Sequence, residues 1–175
     1  MAPYDFTLRF ALGKHDDDPE SVLERLLKAG CDDALIGIGK PGRIGLTFTR
    51  EAASAEEAVI SALSGVKRAV PDAVFLEATP DLVGVPDIAN VLGVSRQYIG
   101  KVIKANEPGF PPPIHDGKRA IWHLDAILGW LRDREMREVD ERLLEIARVN
   151  RQCNYATEIA RLGRDIPRKL KEAVS

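Results

Sequence analysis

Residues 4–12 read Tyr-Asp-Phe-Thr-Leu-Arg-Phe-Ala-Leu, so Tyr4, Phe6, Leu8, Phe10 and Leu12 alternate with smaller or polar positions. A period of two predicts a strand with one buried face. Val22, Leu23, Leu26 and Leu27 then recur at helical spacing. Asp18 is placed to cap that helix, Pro19 fits its first position, and Gly30 stops it. Further strands are predicted over Ala34 to Ile38, over Arg43 to Thr49 with Ile44, Leu46 and Phe48 on one face, and over Ala73 to Ala78. Between the last two, Ser54 and Glu57 make a capping box for a helix with Val59, Ile60, Leu63, Val66 and Val70 as its apolar stripe. Pro71-Asp72 ends it.

The order strand, helix, strand, strand, helix, strand predicts a ferredoxin-like βαββαβ domain over residues 3–79. That arrangement hosts too many activities to indicate one, so it is expected to serve dimerisation, a partner or an effector. Two short matches inside it are discounted. Gly37-Ile38-Gly39-Lys40-Pro41-Gly42 spells G-x-G-x-x-G, but a strand pattern follows it, and a dinucleotide site needs a helix N-terminus there. His15 beside Asp16, Asp17 and Asp18 looks like metal ligands. Consecutive residues diverge, however, so a solvated turn with a helix cap is the better reading.

The pattern changes after residue 80. In Val85-Pro86-Asp87-Ile88-Ala89-Asn90-Val91-Leu92, Pro86 starts a short helix, Ile88 and Leu92 share a face, and Ala89 is small enough to let a second helix approach. Gly93 allows the tight turn, Val94 plugs it, and Ser95 caps a second helix that buries Ile99, Val102 and Ile103. Small residue, glycine, apolar plug and apolar residue six beyond the glycine together make a helix-turn-helix layout. An ordinary helical hairpin is the alternative. The outward residues of the second helix are then Ser95, Arg96, Gln97, Tyr98, Lys101 and Lys104. Arg reads guanine and Gln reads adenine in the major groove, whereas Lys and a Ser hydroxyl at a helix N-terminus suit phosphates. Gly100 costs up to about 1 kcal/mol in that helix against Ala, and it permits close approach either to DNA or to the first helix.

Glu107-Pro108-Gly109-Phe110-Pro111-Pro112-Pro113 excludes helix. Ile114-His115 and Lys118 to Trp122 flank Asp116-Gly117, which predicts a hairpin with a two-residue turn. Asp125 is expected to cap a further helix with Ile127, Leu128, Trp130 and Leu131 inward. A hairpin after a recognition helix is a wing, with Lys118 and Arg119 at its tip. His115 and His123 sit eight residues apart without further ligands, so no metal is expected, and His123 is expected at the surface.

Phe110-Pro-x-Pro, Gly117-Lys118-Arg119, Trp122 and the Asp125-x-Ile127-x-x-Trp130-Leu131 ending resemble the AlpA and excisionase group, small winged helix-turn-helix proteins related to the MerR DNA-binding domain. The resemblance covers residues 82–133. It implies that the helix beginning near Ser95 enters the major groove through Ser95, Arg96, Gln97, Tyr98 and Lys101. It also implies that Lys118 and Arg119 contact the DNA backbone, and that Trp122 and Trp130 are core.

Beyond residue 134, Glu135 to Leu162 reads as helix. Val139, Leu143, Ile146, Asn150, Cys153, Thr157 and Ala160 form a heptad-like seam, with Asn150 as a polar register point. A short dimerisation helix and a helix packed on its own domain are both open. Arg164, Arg168, Lys169 and Lys171 make a basic end.

Charge bears on partners. The chain of 175 residues carries a net −2. Residues 1–80 hold nine Lys+Arg against thirteen Asp+Glu, and residues 81–175 hold sixteen against fourteen. Coating nucleic acid by charge alone is excluded, and any DNA contact must come from a local surface. Two distant cysteines exclude a disulfide scaffold and a zinc finger, and they fit a reducing cytoplasm. No apolar stretch reaches the ~18 residues of a bilayer span, and no signal peptide is readable.

The expected protein is therefore α+β: a ferredoxin-like domain at 3–79, a winged helix-turn-helix domain at 80–134 and a helical tail at 135–175. It is expected to be a bacterial or phage type transcriptional regulator that binds double-stranded DNA as a homodimer, without a cofactor. An antitoxin-like regulator whose front domain holds a partner protein, and an excisionase-like factor that bends DNA, are the rival readings. No paired carboxylates, nucleophile–base set or phosphate loop points to an enzyme.

Overall fold

A computed structural model describes residues 1–13, 18–37, 41–163 and 166–173. The front unit contains β1 (Ala2–Ala11), α1 (Pro19–Lys28), β2 (Ala34–Gly37), β3 (Arg43–Ala52), α2 (Ala55–Ala69) and β4 (Val74–Thr79). Its four strands pair in the order β2-β3-β1-β4, each neighbour antiparallel. The alternation in β1 sends Tyr4, Phe6, Leu8 and Phe10 to one face, and Ile44, Leu46 and Phe48 of β3 join them there. Val22 and Leu26 of α1 and Val59 and Val66 of α2 cover that face. The opposite face is polar: Thr49 donates to Asp5 at 2.7 Å, Thr7 and Thr47 share a hydrogen bond, and Arg9 pairs with Glu77.

Local signals explain the helix ends. Asp18 accepts from the N–H groups of Glu20 and Ser21. Ser54 accepts from Glu57 N–H, and the Glu57 carboxylate accepts from Ala53 N–H, one residue before the cap. Gly30 adopts φ +82° after α1, a value that glycine reaches without strain. The stripe on α2 differs from the pattern expected. Ile60 is exposed, and the buried face is Ala55, Ala58, Val59, Ala62, Gly65, Val66 and Ala69. Gly65 is needed on that face because the segment after α1 lies close: a Cβ on Gly65 would sit 3.1 Å from Cys31 Sγ and 3.3 Å from Ala29 O. Burial pushes the thiols of Cys31 and Cys153 up, so both favour the protonated form.

The G-x-G-x-x-G stretch joins β2 to β3, with Gly37 opposite Gly45, so a strand follows it and no helix does. Residues 38–40 of that stretch, including the last residue of the expected Ala34–Ile38 strand, lie outside the described residues, as do His15, Asp16 and Asp17.

The back unit contains β5 (Leu82–Val83), α3 (Val85–Leu92), α4 (Arg96–Asn106), β6 (Trp122–His123) and α5 (Leu124–Asp133). Its core gathers Ile88, Ala89, Ile99, Val102, Phe110, Trp122, Leu124, Ile127, Leu128 and Leu131. Phe110 lies edge-on to both Trp122 and Trp130, and the two indole N–H groups bond to the carbonyls of Pro111 and Gly109. These bonds hold the proline-rich segment flat on the core.

Three expectations are corrected here. The two-residue turn at Asp116-Gly117 does not form. His115 bridges Ile121, which leaves residues 116–120 as a five-residue loop, while Trp122 and His123 pair with Val83 and Leu82 instead. Asp125 does not cap α5. The helix starts two residues earlier than such a cap would place it, at Leu124 after His123, and the Asp125 carboxylate meets Arg151 at 3.0 Å. His123 is not at the surface but 5% exposed.

The tail is corrected too. Residues 134–140 are not helical, and α6 (Glu141–Arg161) begins at an Asp140 cap. Its seam turns inward on its own chain. Ile146 belongs to the front core, whereas Leu144 and Ala147 belong to the back core. Glu145 accepts from Tyr4 O–H at 2.8 Å and from Ala55 N–H at 3.2 Å. That bond, with burial behind it, holds the Tyr4 phenol above its usual value. α7 (Arg168–Ala173) follows with no buried residue. No helix among the described residues is long and apolar enough to cross a membrane.

Candidate nucleic-acid interface

The turn between α3 and α4 is built by Gly93, which sits in the left-handed region at φ +63° and lets Val94 N–H reach back to Ala89 O at 2.9 Å. Ser95 then accepts from Tyr98 N–H at 3.1 Å and caps α4. Ile99 and Val102 point into the core, with Ile103 half-buried behind them. The same helix therefore turns a different row outward. Ser95, Arg96, Gln97, Tyr98, Lys101 and Lys104 are all exposed. None of the cations Arg96, Lys101 and Lys104 has an ion-pair partner among the described residues.

Lys118 and Arg119 lie in the exposed 116–120 loop, also without an ion pair among the described residues. Between residues 82 and 133, the cations without an ion pair among the described residues thus come from one helix and one loop. An unpaired cation stays fully available to an anion, because no internal carboxylate must first be displaced.

Gly100 lies on the outward side of α4, and a Cβ built there meets nothing within 4 Å. Close approach to α3 is thereby excluded as its reason. Gly100→Ala is expected to raise stability by about 0.5–1 kcal/mol. Thermal unfolding of the single variant checks this, and a loss of stability would mean that the backbone of α4 is strained at that point.

A polar cluster at the join of the two units escaped the sequence. His123 Nδ1 lies 2.6 Å from Asp81 Oδ1, and His123 Nε2 lies 2.8 Å from the Tyr155 hydroxyl. Asn154 Nδ2 donates to the second Asp81 oxygen at 2.8 Å, and Leu124 N–H donates to the Asp81 carbonyl at 2.7 Å. A carboxylate only accepts, so Nδ1 carries a proton, and in the neutral ring Nε2 accepts from Tyr155. Asn150, the polar point of the seam, donates to Pro80 O at 3.1 Å. Its position amid apolar residues was the one readable sign of a buried hydrogen bond. The cluster fixes the 80–82 connection and with it the origin of α3. Among the described residues no group of three or more His, Cys, Asp or Glu is placed to hold a metal ion.

Comparison with protein-family models, curated proteins and solved structures finds no match to this chain.

Proposed function

We propose that the chain is a sequence-specific double-stranded DNA-binding protein, a transcriptional regulator that reads the major groove with α4 and acts as a homodimer. One observation carries the reading. The capped helix after a glycine turn buries Ile99 and Val102 and presents Arg96, Gln97, Tyr98, Lys101 and Lys104 outward with no internal ion pairs among the described residues. The β5–β6 pair and the exposed loop with Lys118 and Arg119 support a winged helix-turn-helix unit of the AlpA and excisionase kind. The order β2-β3-β1-β4 with two helices on one face supports a ferredoxin-like front unit. In this reading Arg96 and Gln97, in the first turn of α4, reach base edges. Lys101, Lys104, Lys118 and Arg119 hold phosphates.

The test is binding to duplexes selected from a random pool against unselected duplex, over a range of salt. Arg96→Ala and Gln97→Ala are each expected to weaken the selected site about 10- to 100-fold and to relax its sequence. Lys101→Ala is expected to weaken both duplexes alike and to reduce the salt slope by about 1. Equal affinity for both duplexes, unmoved by Arg96→Ala and Gln97→Ala, overturns the reading.

A further inference from the structure

The front sheet has two edges, and the chain treats them differently. The edge of β4 is covered by α6. Asn154 accepts from Ala78 N–H at 2.7 Å and donates to Ala78 C=O at 2.9 Å, as a neighbouring strand would. Arg161 donates to the carbonyls of Phe75 and Leu76 further along. The edge of β2 has no such cover. It is outermost in the sheet, and no strand pairs with its far side among the described residues. Its sequence Ala-Leu-Ile-Gly holds neither charge nor proline, the usual devices that blunt an exposed edge. Leu35 stands 77% exposed on it.

We propose that this edge binds a second copy of the chain, the two β2 strands pairing antiparallel about a twofold axis at Leu35. The ladder fixes the register. Thr49 N–H bonds to Asp33 C=O, so Leu35–Thr47 and Gly37–Gly45 are the hydrogen-bonded pairs of β2 with β3. The carbonyl of Ala34 and both backbone groups of Ile36 therefore point outward. Full overlap of two such strands sets Ile36 N–H of each copy on Ala34 C=O of the other. Leu35 then faces Leu35 across the axis as a close, non-hydrogen-bonded pair, with Cα atoms about 4.5 Å apart.

Charge agrees with this arrangement. Exposed Asp32 precedes β2, and exposed Arg43, without an ion pair among the described residues, opens β3 at the opposite end of the strand. Antiparallel pairing brings the Asp32 end of each copy to the Arg43 end of the other. An interface built of one patch used twice closes on itself. This inference stands apart from DNA binding, because β2 lies at the edge remote from α6 and the back unit.

The mass in solution of the full chain without DNA tests it, by light scattering on a sizing column. The wild type is expected at two chains. Leu35→Lys, a change at an exposed position, is expected at one chain with an unaltered circular dichroism spectrum. Leu35→Cys is expected to give a disulfide-linked dimer on mild oxidation, which the wild type, with Cys31 buried and Cys153 half-buried, does not form. A wild-type monomer overturns the proposal. So does a dimer that Leu35→Lys leaves intact, and so does a Leu35→Cys chain that fails to cross-link.

Discussion

Asp81→Ala is expected to lower stability by about 3 kcal/mol and the melting midpoint by roughly 6–12 °C. Asp81 is 2% exposed, and its two carboxylate oxygens serve different partners, His123 Nδ1 at 2.6 Å and Asn154 Nδ2 at 2.8 Å. Removing the carboxylate leaves the buried His123 Nδ1–H without its acceptor, and it also takes the acceptor of one N–H of half-buried Asn154, whose amide keeps its bond to Ala78 C=O. Each unsatisfied group costs about 1–3 kcal/mol. Asp81→Asn should fall between, since its oxygen can serve His123 while its amide opposes the amide of Asn154. Tyr155→Phe should cost under about 1 kcal/mol, because Tyr155 is 47% exposed and His123 can find water in its place. Denaturant titrations of the three variants settle the order. A loss below about 1 kcal/mol for Asp81→Ala would mean that the cluster is already hydrated.

Leu144→Ala and Ile146→Ala are each expected to cost about 2–5 kcal/mol, and to shift one shared transition. The two residues are neighbours on α6, yet Ile146 sits in the front core and Leu144 in the back core, both at 2% exposure or less. A helix that completes two cores makes each the condition of the other. Both tryptophans, Trp122 and Trp130, lie in the back unit, so their fluorescence reports only that unit. Far-ultraviolet circular dichroism reports both. Ile146→Ala should move the fluorescence transition as far as the dichroism transition. A fluorescence transition that stays in place would mean that the units unfold separately.

Elements whose signals are local could be read from the sequence. The alternation of Tyr4 to Phe10, the cap at Ser54 and the Ala89–Gly93–Val94 turn each rest on residues a few positions apart, and the structure forms all three. The outward row of α4 was readable for the same reason, since it is what remains when Ile99 and Val102 are turned inward. What stayed hidden depends on partners far along the chain. Asp81 meets Asn154 across 73 positions, and Tyr4 meets Glu145 across 141. No periodicity near His123 announces that Asp81 and Tyr155 will enclose it. The Asp116-Gly117 turn was overruled in the same way. Trp122 and His123 found β5 as a strand partner, and the loop opened to five residues. On α2 a one-position rotation of the buried face exposed Ile60 and placed Gly65 against Cys31 and Ala29.

The amide of Asn154 on the edge of β4 sets a valence. A sheet with two free edges is a bifunctional monomer, and pairing edge to edge would propagate it without limit. With α6 closing one side, the sheet keeps a single open edge among the described residues, and the proposed pairing would terminate at two copies.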